Sequence, residues 1–215
     1  MRFPEFLTGS NKGKTLAIVD IDDTIFETFA QILVIKDGKV VKRLNNQEFN
    51  RYILGPGETF DFSEFRDAKL FYKTSKPIQR MIERLKTMIK LGFKVILLTA
   101  RADFNDKETF LATFKKYDIN PDDFYVERAG NLVRGTIPER KLYIIVKKYI
   151  SSGLYRKIFF YDDYIGNCKQ FLKLKTTIPN EILDKIKKIN NVTDGEILTI
   201  RAYQVLKDGS IVEVK

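Results

Sequence analysis

Three short apolar runs constrain this chain more than any other feature: Lys14 to Ile21 (KTLAIVDI), Phe93 to Thr99 (FKVILLT) and Lys157 to Tyr161 (KIFFY). Each is continuous and rich in β-branched or aromatic residues, as in a strand buried on both faces. Segments of helical period lie between them. Ile78, Met81, Ile82, Leu85, Met88 and Ile89 recur at spacings of three and one, which predicts a helix over 77–91 with Pro77 near its first turn and Gly92 as its stop. Further helices are predicted over 106–117 and 138–150, the latter with Leu142, Ile145, Val146, Tyr149 and Ile150 inward, and a short strand over 124–126. Strand and helix alternate. The expected fold class is therefore α/β, a three-layer Rossmann-like sandwich with a mostly parallel sheet and right-handed βαβ units.

One segment breaks the alternation. Ile32–Ile35 and Lys39–Val41 flank Asp37-Gly38, a strong hairpin signal, and a helix-like piece over 47–54 ends at Gly55-Pro56-Gly57. We expect a small cap over 26–75, inserted after the first strand into a core made of 1–25 and 76–215. A second hairpin around Asp208-Gly209 predicts an antiparallel edge.

Composition removes whole classes of chemistry. The 215 residues suit one large domain, or one domain with a small inserted module. Histidine is absent, so no mechanism built on an imidazole is open to the chain. Catalysis would have to run on carboxylates, amines or hydroxyls. The single cysteine, Cys168, can form neither an internal disulfide nor a cysteine metal cluster, and it reads as a small buried hydrophobe. No stretch approaches the roughly 18 apolar residues of a membrane span, and the N-terminus has no leader pattern. The expectation is a cytoplasmic protein with no membrane partner. The net charge of +10 favours phosphorylated or polyanionic partners, or serves solubility alone. Between Lys141 and Thr176 eight basic residues face two acidic ones, which suits either a nucleic-acid backbone or a solvated face.

In an open α/β sheet ligands bind beyond the carboxyl ends of the strands, so the polar residues that end the apolar runs are the candidates. They are Asp20-Ile21-Asp22-Asp23-Thr24 after the first run, Thr99 at the end of the second, Lys141 in the first turn of the helix begun by Pro138, and Asp162-Asp163 after the third. Carboxylates gathered at one point repel one another unless a divalent cation neutralises them, and magnesium prefers such hard oxygen ligands. A hydroxyl and an ammonium beside the ion complete a pocket for a phosphoryl group.

In type and in order these pieces resemble the motifs of the haloacid dehalogenase superfamily, in its magnesium-dependent phosphatase branch. The D-x-D-x-T motif reads as DIDDT from Asp20 to Thr24, the apolar run ending in Ser or Thr as VILLT ending at Thr99, the lysine motif as Lys141, and the acidic pair as Asp162-Asp163. Asp23 stands where glycine is commoner. The resemblance implies that Asp20 attacks phosphorus to form an aspartyl-phosphate, while Asp22 protonates the leaving oxygen and then activates water. It implies that Thr99 and Lys141 hold the phosphoryl group, and that Thr24 buttresses the turn. Asp20 and Asp162 would bind magnesium through side chains and Asp22 through its main-chain carbonyl, with Asp163 orienting water there. The motif pattern and small cap look most like nucleotide or polynucleotide-end phosphatases, including phage-encoded ones, so the implied partner is a phosphorylated substrate such as a nucleotide or nucleic-acid end.

Other readings stand beside these. Arg101 either reaches a substrate phosphate or forms a surface salt bridge. The aromatic residues Phe60, Phe62, Phe65, Phe71 and Tyr72 either stack a nucleobase or pack the insertion onto the core. For the whole chain, a phosphotransferase or phosphomutase of the same superfamily, and a phosphate-binding module without turnover, remain open. A response-regulator receiver fits less well, because there the acidic pair precedes the phosphorylated aspartate.

Overall fold

The computed structural model describes residues 15–49, 51–193 and 195–215. In chain order the elements are β1 (Thr15–Val19), β2 (Phe26–Glu27), β3 (Ile32–Lys36), β4 (Lys39–Leu44), α1 (Asn46–Phe49), β5 (Glu58–Asp61), α2 (Ala68–Thr74), β6 (Lys76–Pro77) and α3 (Gln79–Lys90). There follow β7 (Lys94–Thr99), α4 (Lys107–Lys115), β8 (Phe124–Arg128), α5 (Ile137–Lys148), β9 (Lys157–Asp162), α6 (Ile165–Leu172), α7 (Leu174–Thr177), α8 (Asn180–Ile189), β10 (Thr199–Val205) and β11 (Ile211–Val214).

The fold is mixed α/β around a six-stranded sheet of order β11-β10-β9-β1-β7-β8. Every pairing in it is parallel except β10 with β11, the expected antiparallel edge. The apolar runs form its centre, with β1 between β7 and β9. Side chains alternate across a strand, and β1 divides accordingly. Ala17 and Val19 pack with Met81, Leu85, Phe110 and Phe114 on one face, while Leu16 and Ile18 pack with Ile144, Ile145 and Phe171 on the other. With this double burial β1 has no polar position to spare.

Two expected helices have other bounds. The first predicted helix starts at Gln79 rather than Pro77, because Pro77 is tied into a two-residue antiparallel ladder with Phe26. The expected helix over 47–54 is only α1, and the chain turns back at Gly55, whose amide is held by the Glu58 carboxylate, into an unforeseen strand, β5. The helices after β9 were also not foreseen.

The Asp37-Gly38 hairpin forms as expected, with φ of 50° and 73°, the left-handed pair that a tight two-residue turn requires. With β5 it makes a three-stranded antiparallel sheet, β4-β3-β5, over a small core of Ile32, Val34 and Leu44. Other parts of the 26–75 segment join the main core: Phe26, Ala68 and Phe71 are buried there, and the Phe26 ring meets those of Phe71 and Phe114 edge-on. Among the described residues no helix is long and apolar enough to cross a membrane.

Candidate active site

From β1 the chain moves outward to β7 and β8, then crosses to the other side for β9 and β10. Such a reversal leaves a crevice at the carboxyl ends of the two central strands. Val19 is level with Tyr161, and the Asp20 amide donates to the Tyr161 carbonyl at 2.9 Å. Asp20 and Asp162 therefore leave adjacent strands side by side.

Lys141 comes to them from α5. A capping box between Thr136 and Glu139 starts that helix at Ile137, so Lys141 lies in the second turn and not the first as expected. Helical side chains lean toward the N-terminus, and this one reaches the strand ends. Its Nζ donates to Asp20 Oδ1 at 2.6 Å and to Asp162 Oδ2 at 2.7 Å, fully enclosed. Asp163 completes the group: Asp20, Asp162 and Asp163 each offer an oxygen within 4.8 Å of the others. Thr24 accepts the Asp163 amide at 3.0 Å, joining the first acidic loop to the second, the buttressing role implied for it.

One support escaped the sequence reading, while Cys168 beside it is buried as expected. Asn167 in the first turn of α6 donates through Nδ2 to both Asp162 oxygens, at 2.8 and 2.9 Å, and its buried Oδ1 has no partner. The buried Cys168 thiol lies 3.7 Å from the Asp162 carbonyl, and burial together with the nearby Asp162 charge pushes it up to about 12, so it is inert at neutral pH.

The electrostatics follow from enclosure. Burial pushes the Asp20 carboxyl well above the usual carboxylate range; Lys141 opposes this, and Asp162, Asp163 and Asp22 add to it. Asp163 is pushed up to about 7, first by burial and then by Asp162 and Asp23. Burial alone would discharge Lys141, but Asp162 and Asp20 outweigh it and keep the ammonium charged. With all three carboxylates ionised, the group with its one ammonium carries a formal charge of minus two, two of the carboxylates buried and Asp163 partly open. The donors are hard oxygens and the surplus equals the charge of one divalent cation. These residues fit magnesium.

The other half of the site is closed on itself. Arg101 is not at the surface: its side chain is 1% exposed. Nε donates to Asp22 Oδ2 at 2.9 Å and Nη2 to Asp22 Oδ1 at 2.6 Å, a bidentate pair, while Nη1 donates to the Phe65 carbonyl at 2.9 Å. The rings of Phe65, Phe71 and Phe104 surround the guanidinium at 4.8 to 5.4 Å. Burial would raise the Asp22 carboxyl, but the Arg101 charge and hydrogen bonds from Arg101, Thr28 and Thr99 hold it below its ordinary range. Thr99 donates to Asp22 Oδ2 at 3.2 Å and accepts the Arg101 amide at 3.0 Å. Gly130 lets the next loop lie against this one, since a Cβ there would meet the Ala100–Ala102 backbone at 2.5 Å.

Of the five aromatic residues of 60–72, Phe62 is 46% exposed with its ring near those of Phe49, Phe60 and Phe65, and the other four divide between packing roles. Phe60 meets Phe49 and Tyr52 within the small sheet's layer, Phe65 and Phe71 flank Arg101, and the Tyr72 ring lies under the Lys116 ammonium. Thus Asp20, Asp162, Asp163 and Lys141 form one group, and Asp22, Thr99 and Arg101 form a second beside it. No protein-family model matches the chain, and no curated protein matches it at a significant level.

Proposed function

We propose that this chain is a magnesium-dependent phosphomonoester hydrolase of the haloacid dehalogenase type, with a three-layer Rossmann-like core, working through an aspartyl-phosphate on Asp20. The observation that carries the reading is the group of Asp20, Asp162 and Asp163 with Lys141 between two of them, two charges short of neutrality.

Magnesium, when bound by Asp20, Asp162 and the Asp22 main-chain carbonyl, would offset the negative charge that otherwise keeps a phosphate dianion from a carboxylate nucleophile. The chain's own residues do the rest. An Asp20 oxygen attacks phosphorus as the bond to the leaving oxygen breaks, and Asp22 gives that oxygen a proton. Water then loses a proton to Asp22 and attacks phosphorus; the bond to Asp20 breaks and phosphate leaves. Lys141 and the Thr99 hydroxyl hold phosphoryl oxygens, and Asp163 would orient water at the magnesium site.

Arg101 sets the timing of this exchange. Its grip favours the Asp22 carboxylate, the form that accepts a proton from water, whereas the first step needs the acid. Phosphoryl oxygens are alternative acceptors for the guanidinium, so a bound substrate loosens the pair and lets Asp22 take up its proton.

The test is phosphate release from a panel of phosphomonoesters with magnesium and with chelator. We expect release only with the divalent ion, and Asp20→Asn to lower it by about 10⁴-fold or more, the scale of losing a nucleophile. Full activity in chelator, or substantial release by a folded Asp20→Asn protein, would reject the mechanism. Transfer to an added alcohol in preference to water would make it a phosphotransferase instead.

A further inference from the structure

Beside the acidic group a cleft of about 810 Å³ opens between the 27–31 segment and the end of β10, with Asp23 and Asp163 in its wall. Its size is that of a small-molecule site. Its charge runs against the protein's net positive charge: among the described residues Asp23, Glu27, Asp163 and Asp208 line it, with Lys207 the basic one. The nearby cations are engaged, Arg80 with Asp208 at 2.7 Å and Lys76 over the Phe29 ring at 5.1 Å. None of the basic residues between 141 and 176 lines the cleft. Phe29, 43% exposed, presents a ring to it, and the amides of Gln31 and Gln204 add neutral polar groups.

A groove that follows a nucleic-acid strand needs a row of cations along the backbone. This cleft has the opposite sign. An aromatic plate with neutral amides beside carboxylates suits a flat, uncharged, hydrogen-bonding group. We propose that the cleft receives the leaving group of the phosphomonoester, and that this group is a single nucleoside-like unit, with Phe29 stacking its ring, and not a nucleic-acid chain. The inference rests on the hydrolase reading above.

The test compares nucleoside 3′- and 5′-monophosphates, glycerol phosphate, and an oligonucleotide bearing a terminal phosphate, at low and high salt. We expect kcat/KM for a mononucleotide to exceed that for the oligonucleotide at least about tenfold at every salt concentration. Phe29→Ala should raise KM for the mononucleotide about tenfold relative to glycerol phosphate, as expected for one lost stacking contact. Glu27→Lys should narrow the gap in favour of the oligonucleotide. A preferred oligonucleotide whose advantage grows as salt falls, or a Phe29→Ala protein with the original preference, would overturn the assignment. To separate this from the chemistry, Asp20→Asn is titrated with mononucleotide and oligonucleotide, read as binding. If no ester is hydrolysed the mechanism falls, yet tighter binding of the mononucleotide still upholds the cleft; the reverse order, or binding of neither, refutes it.

Discussion

Two buried charge groups stand side by side at the carboxyl edge of the sheet, and they are balanced differently. On the β7 side, Arg101 and Asp22 match one for one, with two hydrogen bonds from the guanidinium to the carboxylate oxygens and aromatic rings around it. On the β9 side, Lys141 serves Asp20 and Asp162 together while Asp163 adds a third carboxylate. A buried pair with all its hydrogen bonds made is complete as it stands, whereas surplus buried charge requires a proton or a counter-ion. The first group has its charges matched within the protein; the second carries a surplus that a proton or a counter-ion must offset.

Removing the cation from each group should expose the difference most. Lys141→Met leaves two buried carboxylates and the partly exposed Asp163 without that counter-charge, and we expect a loss of about 3–5 kcal/mol in chelator, measured by thermal or denaturant unfolding. Magnesium should restore much of that loss. Arg101→Met strands a single carboxylate whose side chain is 15% exposed and open to water, so a smaller loss of about 2–3 kcal/mol is expected, with no recovery on adding magnesium. Equal rescue of both variants by the ion would erase the contrast.

Asp20, the proposed nucleophile, supplies a test of opposite sign. Because folding disfavours the ionised Asp20, Asp20→Asn should raise the unfolding midpoint in chelator by about 2–4 °C, the shift that ~1 kcal/mol gives in a chain this size. The same variant should lose the magnesium-dependent rise of the parent protein. A fall in the midpoint would mean that the Asp20–Lys141 contact outweighs the repulsion among the carboxylates.

What could be read from the sequence follows from how each group is built. Asp20, Thr99 and Asp162 end apolar runs, so period and strand length alone put them at one edge of a parallel sheet. Lys141 follows from the helix start, within one turn. Arg101 was ambiguous because its environment comes from three separated segments, those of Phe65, Phe71 and Phe104, which no local pattern joins. Asn167 sits in a segment read only for its basic charge. Phe29 sits in a mixed stretch, ETFAQ, with no period to mark it, whereas in the conspicuous aromatic run Phe71 joins the main core and Phe60 packs in the small layer.

The smallest effect expected concerns Asp23, which follows Asp22 in the loop and raises the Asp163 carboxyl. Its φ of 54° is left-handed, a conformation that glycine adopts freely and that aspartate tolerates better than most residues. Asp23→Gly relieves that strain and some repulsion on Asp163, but it adds unfolded-chain entropy and removes the acceptor for the Thr28 amide at 3.3 Å. These terms oppose one another, so unfolding should change by no more than about 0.5 kcal/mol, while Asp23→Ala, which keeps the strain, should lose about 1 kcal/mol. Magnesium affinity separates the contributions. With one carboxylate fewer beside Asp163, both variants should bind the ion more weakly by the same modest factor, whereas the stability difference between them reports the backbone alone. If glycine and alanine proved equally stable, the left-handed turn at Asp23 would not be what shapes the loop carrying Asp20 and Asp22.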